Sequence, residues 1–188
     1  MEKLYDEAKN LINKAYNILI ISHRNPDADT LGAAICFKIL FDKEGKKTTL
    51  ACIDKPKSRF SFLPYVDSFV NEFDMSLFDL IIIVDAGASY MTNFHLKYSD
   101  FFKSSIPIVN IDHHASNDNY GKVNIVDDHC ASTTVILYKM FKHWDVNIDE
   151  KMATCLLAGI YGDTGSFMHS NTNSNVFSIA SDLMQKGA

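Results

Sequence analysis

A chain of 188 residues is long enough for one domain with a sizeable core, and its 47% hydrophobic and 22% charged composition is that of a globular protein. Its net charge of −5 offers no basic field for long duplex nucleic acid, and no run approaches the roughly 18 apolar residues of a membrane span. The N-terminus, MEKLYDEAKN, lacks an apolar signal core, so a cytoplasmic protein with no membrane partner is expected. Cys36, Cys52, Cys130 and Cys155 are scattered without CxxC spacing, which suits buried reduced thiols over a disulfide frame or a zinc site.

In chain order, residues 4–16 place Leu4, Ala8, Leu11, Ile12 and Ala15 on one face, an amphipathic helix. NILIIS (17–22) reads as a strand buried on both faces. Residues 30–45 read as a helix with Thr30 as N-cap and Gly45 as its stop, and 47–53 as a second strand. Pro56 and Pro64 break any pattern over 54–78, where Phe60, Phe62, Leu63 and Tyr65 suggest a packed loop or short helix. A third strand is expected at 79–87, a short helix at 93–102, and strands at 107–112 and 122–126. Three helices follow at 131–144, 149–161 and 173–186. The alternation predicts an α/β fold, a parallel five-stranded sheet with helices on both faces, spanning 1–188 as one domain.

Acidic and histidine residues gather where these strands end. The first runs into His23-Arg24-Asn25-Pro26-Asp27-Ala28-Asp29, the third ends at Asp85, and the fourth runs into Asp112-His113-His114. In an open parallel sheet, ligands collect outside the carboxyl ends of the strands, where strand order reverses. Asp163, in Gly162-Asp163-Thr164-Gly165, adds a fourth acid beside glycines that permit a sharp turn. So many carboxylates cannot stay ionised together without cations. Oxygen and imidazole donors without thiolates favour two divalent ions, Mn²⁺ or Mg²⁺ over a structural zinc, with Asp85 as the candidate bridging carboxylate.

These segments together resemble the DHH phosphoesterase family, over roughly residues 15–188. The carried motifs are HRNPDAD (23–29), Val84-Asp85, Asp112-His113-His114 and Gly162-Asp163-Thr164-Gly165. The resemblance implies one ion held by His23, Asp27 and Asp85, and a second by Asp29, Asp85, His113 and Asp163. It implies that a water activated by both ions attacks phosphorus in line. His114 would face the phosphate or leaving group, and Asp112 would orient the histidines. Arg24 would either fork onto a phosphate or be a solvated loop cation.

HRNPDADTLGAA resembles the branch cleaving nanoRNA and adenosine 3′,5′-bisphosphate (pAp), so a small phosphoester substrate such as short RNA, pAp or polyphosphate is expected. Exopolyphosphatase, inorganic pyrophosphatase and a non-catalytic nucleotide-binding module are the alternatives. Hydrolases of this family usually carry a C-terminal domain that closes over the site. Its glycine- and histidine-rich motif does not occur in these residues, so the expectation is a catalytic domain that works with such a lid in a longer protein. A homodimer is compatible with the same resemblance.

Other residues have plainer readings. His95, His143 and His169 match no metal motif, and Asp127, Asp128 and His129 read as capping before the helix at 131. Ser132 and Thr133 at that helix start, and Asn117, are secondary substrate candidates. Phe60, Phe62 and Tyr65 read as core packing before base stacking.

Overall fold

Runs such as Ile18–Ile21 and Leu80–Val84 have no polar alternation, the mark of strands covered on both faces. The computed structural model describes residues 1–99 and 101–188. Its strands are β1 (Asn17–Ser22), β2 (Lys47–Ala51), β3 (Leu80–Val84), β4 (Ile108–Asp112) and β5 (Val123–Val126). All neighbours pair in parallel, in the order β2-β1-β3-β4-β5. β3 is central and buried along its whole length.

From β1 the chain steps outward to β2, returns past β1 to β3, and continues in that same direction to β4 and β5. Right-handed crossovers in opposite directions place their connections on opposite faces of a sheet. Accordingly α1 (Glu2–Lys14), α2 (Ala28–Lys43), α4 (Thr133–His143) and α5 (Glu150–Asp163) share one core with Ile18, Ile20, Ile82 and Ile111. α6 (Ser174–Gln185) joins that core through Val176, Ile179 and Leu183. The other face is thinner. There α3 (Phe94–Lys97) and an aromatic cluster of Phe73, Phe94, Tyr98 and Phe101 cover Leu19, Ile21, Ile81 and Ile83. Each fully buried Ile or Leu contributes roughly 1.5–3 kcal/mol relative to exposure. The strand ends that carry the acidic residues are therefore held by a rigid sheet.

The structure departs from expectation at the start of α2 and over 93–102. α2 begins at Ala28, because Asp27 and not Thr30 is its N-cap: Asp27 Oδ1 accepts from the backbone N–H of Asp29 at 3.0 Å and of Thr30 at 3.1 Å. Residues 54–78 form a packed loop that carries three short 3₁₀ turns at Ser58–Phe60, Val66–Ser68 and Met75–Leu77, with Phe60 and Leu63 buried but Phe62 and Tyr65 exposed. The helix expected over 93–102 is α3 and then a 3₁₀ turn at Phe101–Lys103, while Asp100 within that span lies outside the described residues. Among the described residues no helix is long and apolar enough to cross a membrane.

α2 and α5 pack closely because Gly32 leaves room for the other helix. A Cβ at Gly32 would collide with the backbone carbonyl of Cys155, an atom that cannot rotate away. Gly32→Ala gains up to about 1 kcal/mol of helix propensity but forces the pair apart, an overpacking cost of typically 1–3 kcal/mol. The expected net result is a thermal midpoint lowered by a few degrees. An unchanged or higher midpoint in calorimetry would mean that the two helices separate freely.

Candidate metal centre

The reversal of strand order lies between β1 and β3, and the first residue after each strand turns into the same space. His23 follows β1 and Asp85 follows β3, with His23 Nε2 3.4 Å from Asp85 Oδ2. Asp85 is 2% exposed and adopts a left-handed backbone with φ 57°. A residue in that region stores strain that surrounding contacts must hold. Its N–H donates to the Ile111 carbonyl at 2.9 Å and its Oδ1 accepts from Thr133 Oγ1 at 3.1 Å.

β4 delivers Asp112, His113 and His114. His113 Nε2 lies 3.5 Å from Asp85 Oδ1 and 3.0 Å from Asp163 Oδ2, at the last residue of α5. Asp85 thus points one carboxylate oxygen at each histidine. Asp27 spends Oδ1 on the α2 cap and turns Oδ2 to within 3.6 Å of His23 Nε2. His23 Nδ1 donates to the Arg24 carbonyl at 2.7 Å, which leaves the Nε2 lone pair of the neutral ring facing Asp27 and Asp85. Three overlapping trios have ligand atoms within 4.8 Å of one another: His23–Asp27–Asp85, Asp29–His113–Asp163 and Asp85–His113–His114. That donor set fits a pair of hard or borderline divalent cations, since it is rich in carboxylate and imidazole and has no thiolate.

Residues 17–160 match the family model described as the DHH family, N-terminal domain. The chain belongs to the DHH family. It is 28% identical over 173 residues to a probable bifunctional oligoribonuclease and PAP phosphatase NrnA of Streptococcus mutans, covering 92% of this chain and 54% of that protein. It is 30% identical over 154 residues to a probable manganese-dependent inorganic pyrophosphatase of Enterococcus faecalis, covering 78% of this chain and 48% of the relative. A solved structure of an exopolyphosphatase-related protein from Bacteroides fragilis superposes with a TM-score of 0.91 at 22% identity, over 100% of this chain and 58% of that one. The chain therefore spans about half the length of the curated relatives it matches.

The electrostatics of this DHH site show how strongly it demands positive charge. Burial opposes a charged His23 ring, yet hydrogen bonds to Asp27 and Asp85 outweigh it and raise its pKa to about 11. Burial likewise opposes charge on His113, but Asp163, Asp29 and Asp85 lift it to about 9. Asp29 is wholly buried, and burial together with the charges of Asp85 and Asp163 drives its carboxyl well above the ordinary range. Without cations, then, the site holds protons on both imidazoles near neutral pH. Binding a metal through those nitrogens must release the protons. Mn²⁺ affinity is expected to climb as pH rises through about 9 and, less steeply, on toward about 11, and the binding enthalpy near pH 7 to depend on buffer ionisation heat. An enthalpy independent of buffer would show that neither imidazole is a ligand.

The rest of the DHH triplet is tied differently. Asp112 is buried and accepts His114 Nδ1 at 2.7 Å and Asn117 Nδ2 at 2.7 Å. Burial favours its neutral form, but these two hydrogen bonds keep the carboxyl below its usual pKa, and in return Asp112 raises that of His114. Asn117, read from sequence as a secondary substrate contact, is bound instead into a ladder with Asn110 and, through it, Asn124.

Ser132 and Thr133 do not form an open phosphate site. Ser132 caps α4 by accepting from Val135 N, and the two N–H groups beyond it grip the Asp29 carboxylate, Thr133 N at 2.6 Å and Thr134 N at 2.9 Å. Asp127 does not cap α4 either. It closes a turn onto His129 N and pairs with Lys139 at 3.4 Å. His143 pairs with Asp6 at the surface, His95 sits in α3, and His169 covers Gly165 with Nδ1 3.3 Å from the Asp163 carbonyl oxygen. Arg24 is exposed, with its backbone N–H on Met91 O at 2.9 Å and no ion pair among the described residues.

Near the site lie three side chains that sequence patterning does not single out or reads as packing. Arg59, Phe62 and Tyr161 border a cavity of about 450 Å³ that opens from Asp27 and Asp163. The run Lys55-Pro-Lys-Ser-Arg59 beside aromatic residues was the available signal for the first two. Tyr161, on an outward face of α5, had none.

Proposed function

We propose that this chain is the metal-holding catalytic domain of a cytoplasmic phosphoesterase that hydrolyses short oligoribonucleotides and pAp. Support comes from relatives named for those two activities and from the donor set at the strand ends. The observation that carries the reading is Asp85, whose two oxygens lie 3.4 Å from His23 and 3.5 Å from His113. A carboxylate so placed is suited to bridge two cations, the arrangement by which two-metal sites stabilise in-line phosphoryl displacement.

In this reading His23, Asp27 and Asp85 would hold one ion, and Asp29, Asp85, His113 and Asp163 the other. Mn²⁺ is favoured over Mg²⁺ because imidazole nitrogens supply part of the set, and one relative is named as manganese-dependent. Two such cations supply Lewis acidity toward the phosphoryl oxygens and lower the pKa of a nearby water. His114, with Nδ1 on Asp112, keeps Nε2 for the leaving oxygen, and the Asp112 carboxylate steadies the imidazolium form from which a proton is donated. Arg24, free to extend from its anchored loop, would take a non-bridging phosphate oxygen. An intact ligand set argues for an enzyme over a non-catalytic binding module. In a longer protein, the chain beyond this domain would add grip on the substrate.

The deciding assay is Mn²⁺-dependent release of phosphate from pAp and of mononucleotide from a diribonucleotide, with pyrophosphate run in parallel. Turnover of the nucleotides that a chelator abolishes is expected. Release from pyrophosphate alone would move the assignment to the pyrophosphatase branch. No turnover of any substrate with metal bound would sink the enzymatic reading.

A further inference from the structure

The cavity beside the metal centre has a composition that metal binding does not explain. Its inner end is Asp27 and Asp163, its floor is Ala158 and Gly162 on α5, and its outer walls carry Arg59 and Phe62. Beyond Phe62 and Tyr161 it continues into an apolar hollow of about 280 Å³, which Leu157 and Phe167 also line. Phe62 is 60% exposed and Tyr161 53% exposed, so neither ring is there to fill the core. Phe60, by contrast, is buried, and the Arg59 guanidinium rests on its ring with Cζ 4.7 Å from the centroid. That stacking holds the guanidinium at the cavity wall, and it makes no ion pair among the described residues.

We propose that this groove is a nucleoside subsite: Phe62 and Tyr161 stack on a base while Arg59 takes the phosphate next to the scissile one. The inference rests on the phosphoesterase reading and deepens it. A ligand that fits must join an anionic group reaching Asp27 and Asp163, through cations, to a flat apolar body lying against the two rings. A nucleotide has both parts, whereas pyrophosphate and polyphosphate lack the second. Aromatic walls recognise the π-face that every base has, so stacking here is sequence-tolerant. A guanidinium already held over the Phe60 ring is suited to fork onto a phosphate with little further ordering. The small floor matters as well. Ala158 and Gly162 are one turn apart on α5 and keep the groove open between Asp163 and the rings.

The test is equilibrium binding by the 188-residue chain, with Ca²⁺ replacing Mn²⁺ to suppress turnover. The probe is a diribonucleotide containing 2-aminopurine, whose fluorescence is quenched on stacking. Quenching is expected in the native chain. Phe62→Ala and Tyr161→Ala should each weaken binding about tenfold and relieve the quench, in line with the loss per stacked base. Because both side chains are largely exposed, neither substitution threatens the fold. Inorganic pyrophosphate, measured by competition, should shift by less than twofold in these two variants. Arg59→Ala should weaken pAp more than it weakens adenosine 3′-monophosphate, which keeps the scissile 3′-phosphate and lacks the 5′ one.

Unquenched binding, or native affinity in both aromatic variants, would overturn the subsite and leave the phosphoesterase reading intact. Equal losses for the dinucleotide and pyrophosphate would also overturn it. The phosphoesterase reading is tested separately by phosphate release with Mn²⁺, so a failure there is told apart from a failure of the groove.

Discussion

Asp85→Asn is expected to leave the fold intact and to remove at least one of about two Mn²⁺ ions per chain. The substitution is clean for a conformational reason. Position 85 has φ 57°, a region that asparagine tolerates about as well as aspartate, so the strand-to-loop turn should survive. The amide can still accept from Thr133 Oγ1, now 3.1 Å from Oδ1. What it cannot do is present two anionic oxygens, one toward His23 and one toward His113. Loss of partners that merely orient a ligand typically costs 10–100-fold in metal affinity or activity, and loss of the bridging group should exceed that. Elemental analysis of the Mn²⁺-loaded variant, with circular dichroism as the fold control, reads the effect. Two ions retained per chain would remove Asp85 from the bridging role.

The site was readable in the sequence to the extent that strands position it. His23, Asp85 and Asp112–His114 each follow an apolar run, and a parallel sheet brings the ends of such runs to one rim without further information. Asp163 was readable through its glycine-flanked turn. What stayed hidden depended on tertiary contacts between distant segments. Ser132 and Thr133 read as a phosphate-binding helix start, but the N–H groups of Thr133 and Thr134 are satisfied by Asp29, more than a hundred residues earlier in the chain. The turns over 54–78 have no period to detect, since Phe60 and Leu63 are placed by packing, and so Arg59 and Phe62 could not be located beside Asp27. Asp27 shows the same limit on a smaller scale. Its dual use as helix cap and as neighbour of His23 follows from the chain entering α2 directly from the β1 loop, which a search for the nearest Thr or Ser cap overlooks.

The adjacent histidines of the DHH triplet should behave oppositely when truncated, although they are chemically identical and their rings lie 4.4 Å apart. His113 aims Nε2 at two carboxylates, Asp163 at 3.0 Å and Asp85 at 3.5 Å, the environment of a metal ligand. His114 is more exposed and gives Nδ1 to Asp112, whose other oxygen is held by Asn117, an arrangement that orients an imidazole and keeps its proton. His113→Ala is therefore expected to lose Mn²⁺. His114→Ala should retain nearly all of its metal while kcat falls by about 10²–10⁴-fold, the usual range for a lost general acid. Asn117→Ala should resemble a mild form of His114→Ala, since it loosens Asp112 without touching either ring. A pH profile separates these roles further, because losing a proton donor should abolish the basic limb of kcat and losing a ligand should not. Metal loss in His114→Ala with retention in His113→Ala would exchange the two roles. Equal metal loss in both would make His114 a third imidazole of the centre, leaving Arg24 and Arg59 as the remaining groups to stabilise the leaving oxygen.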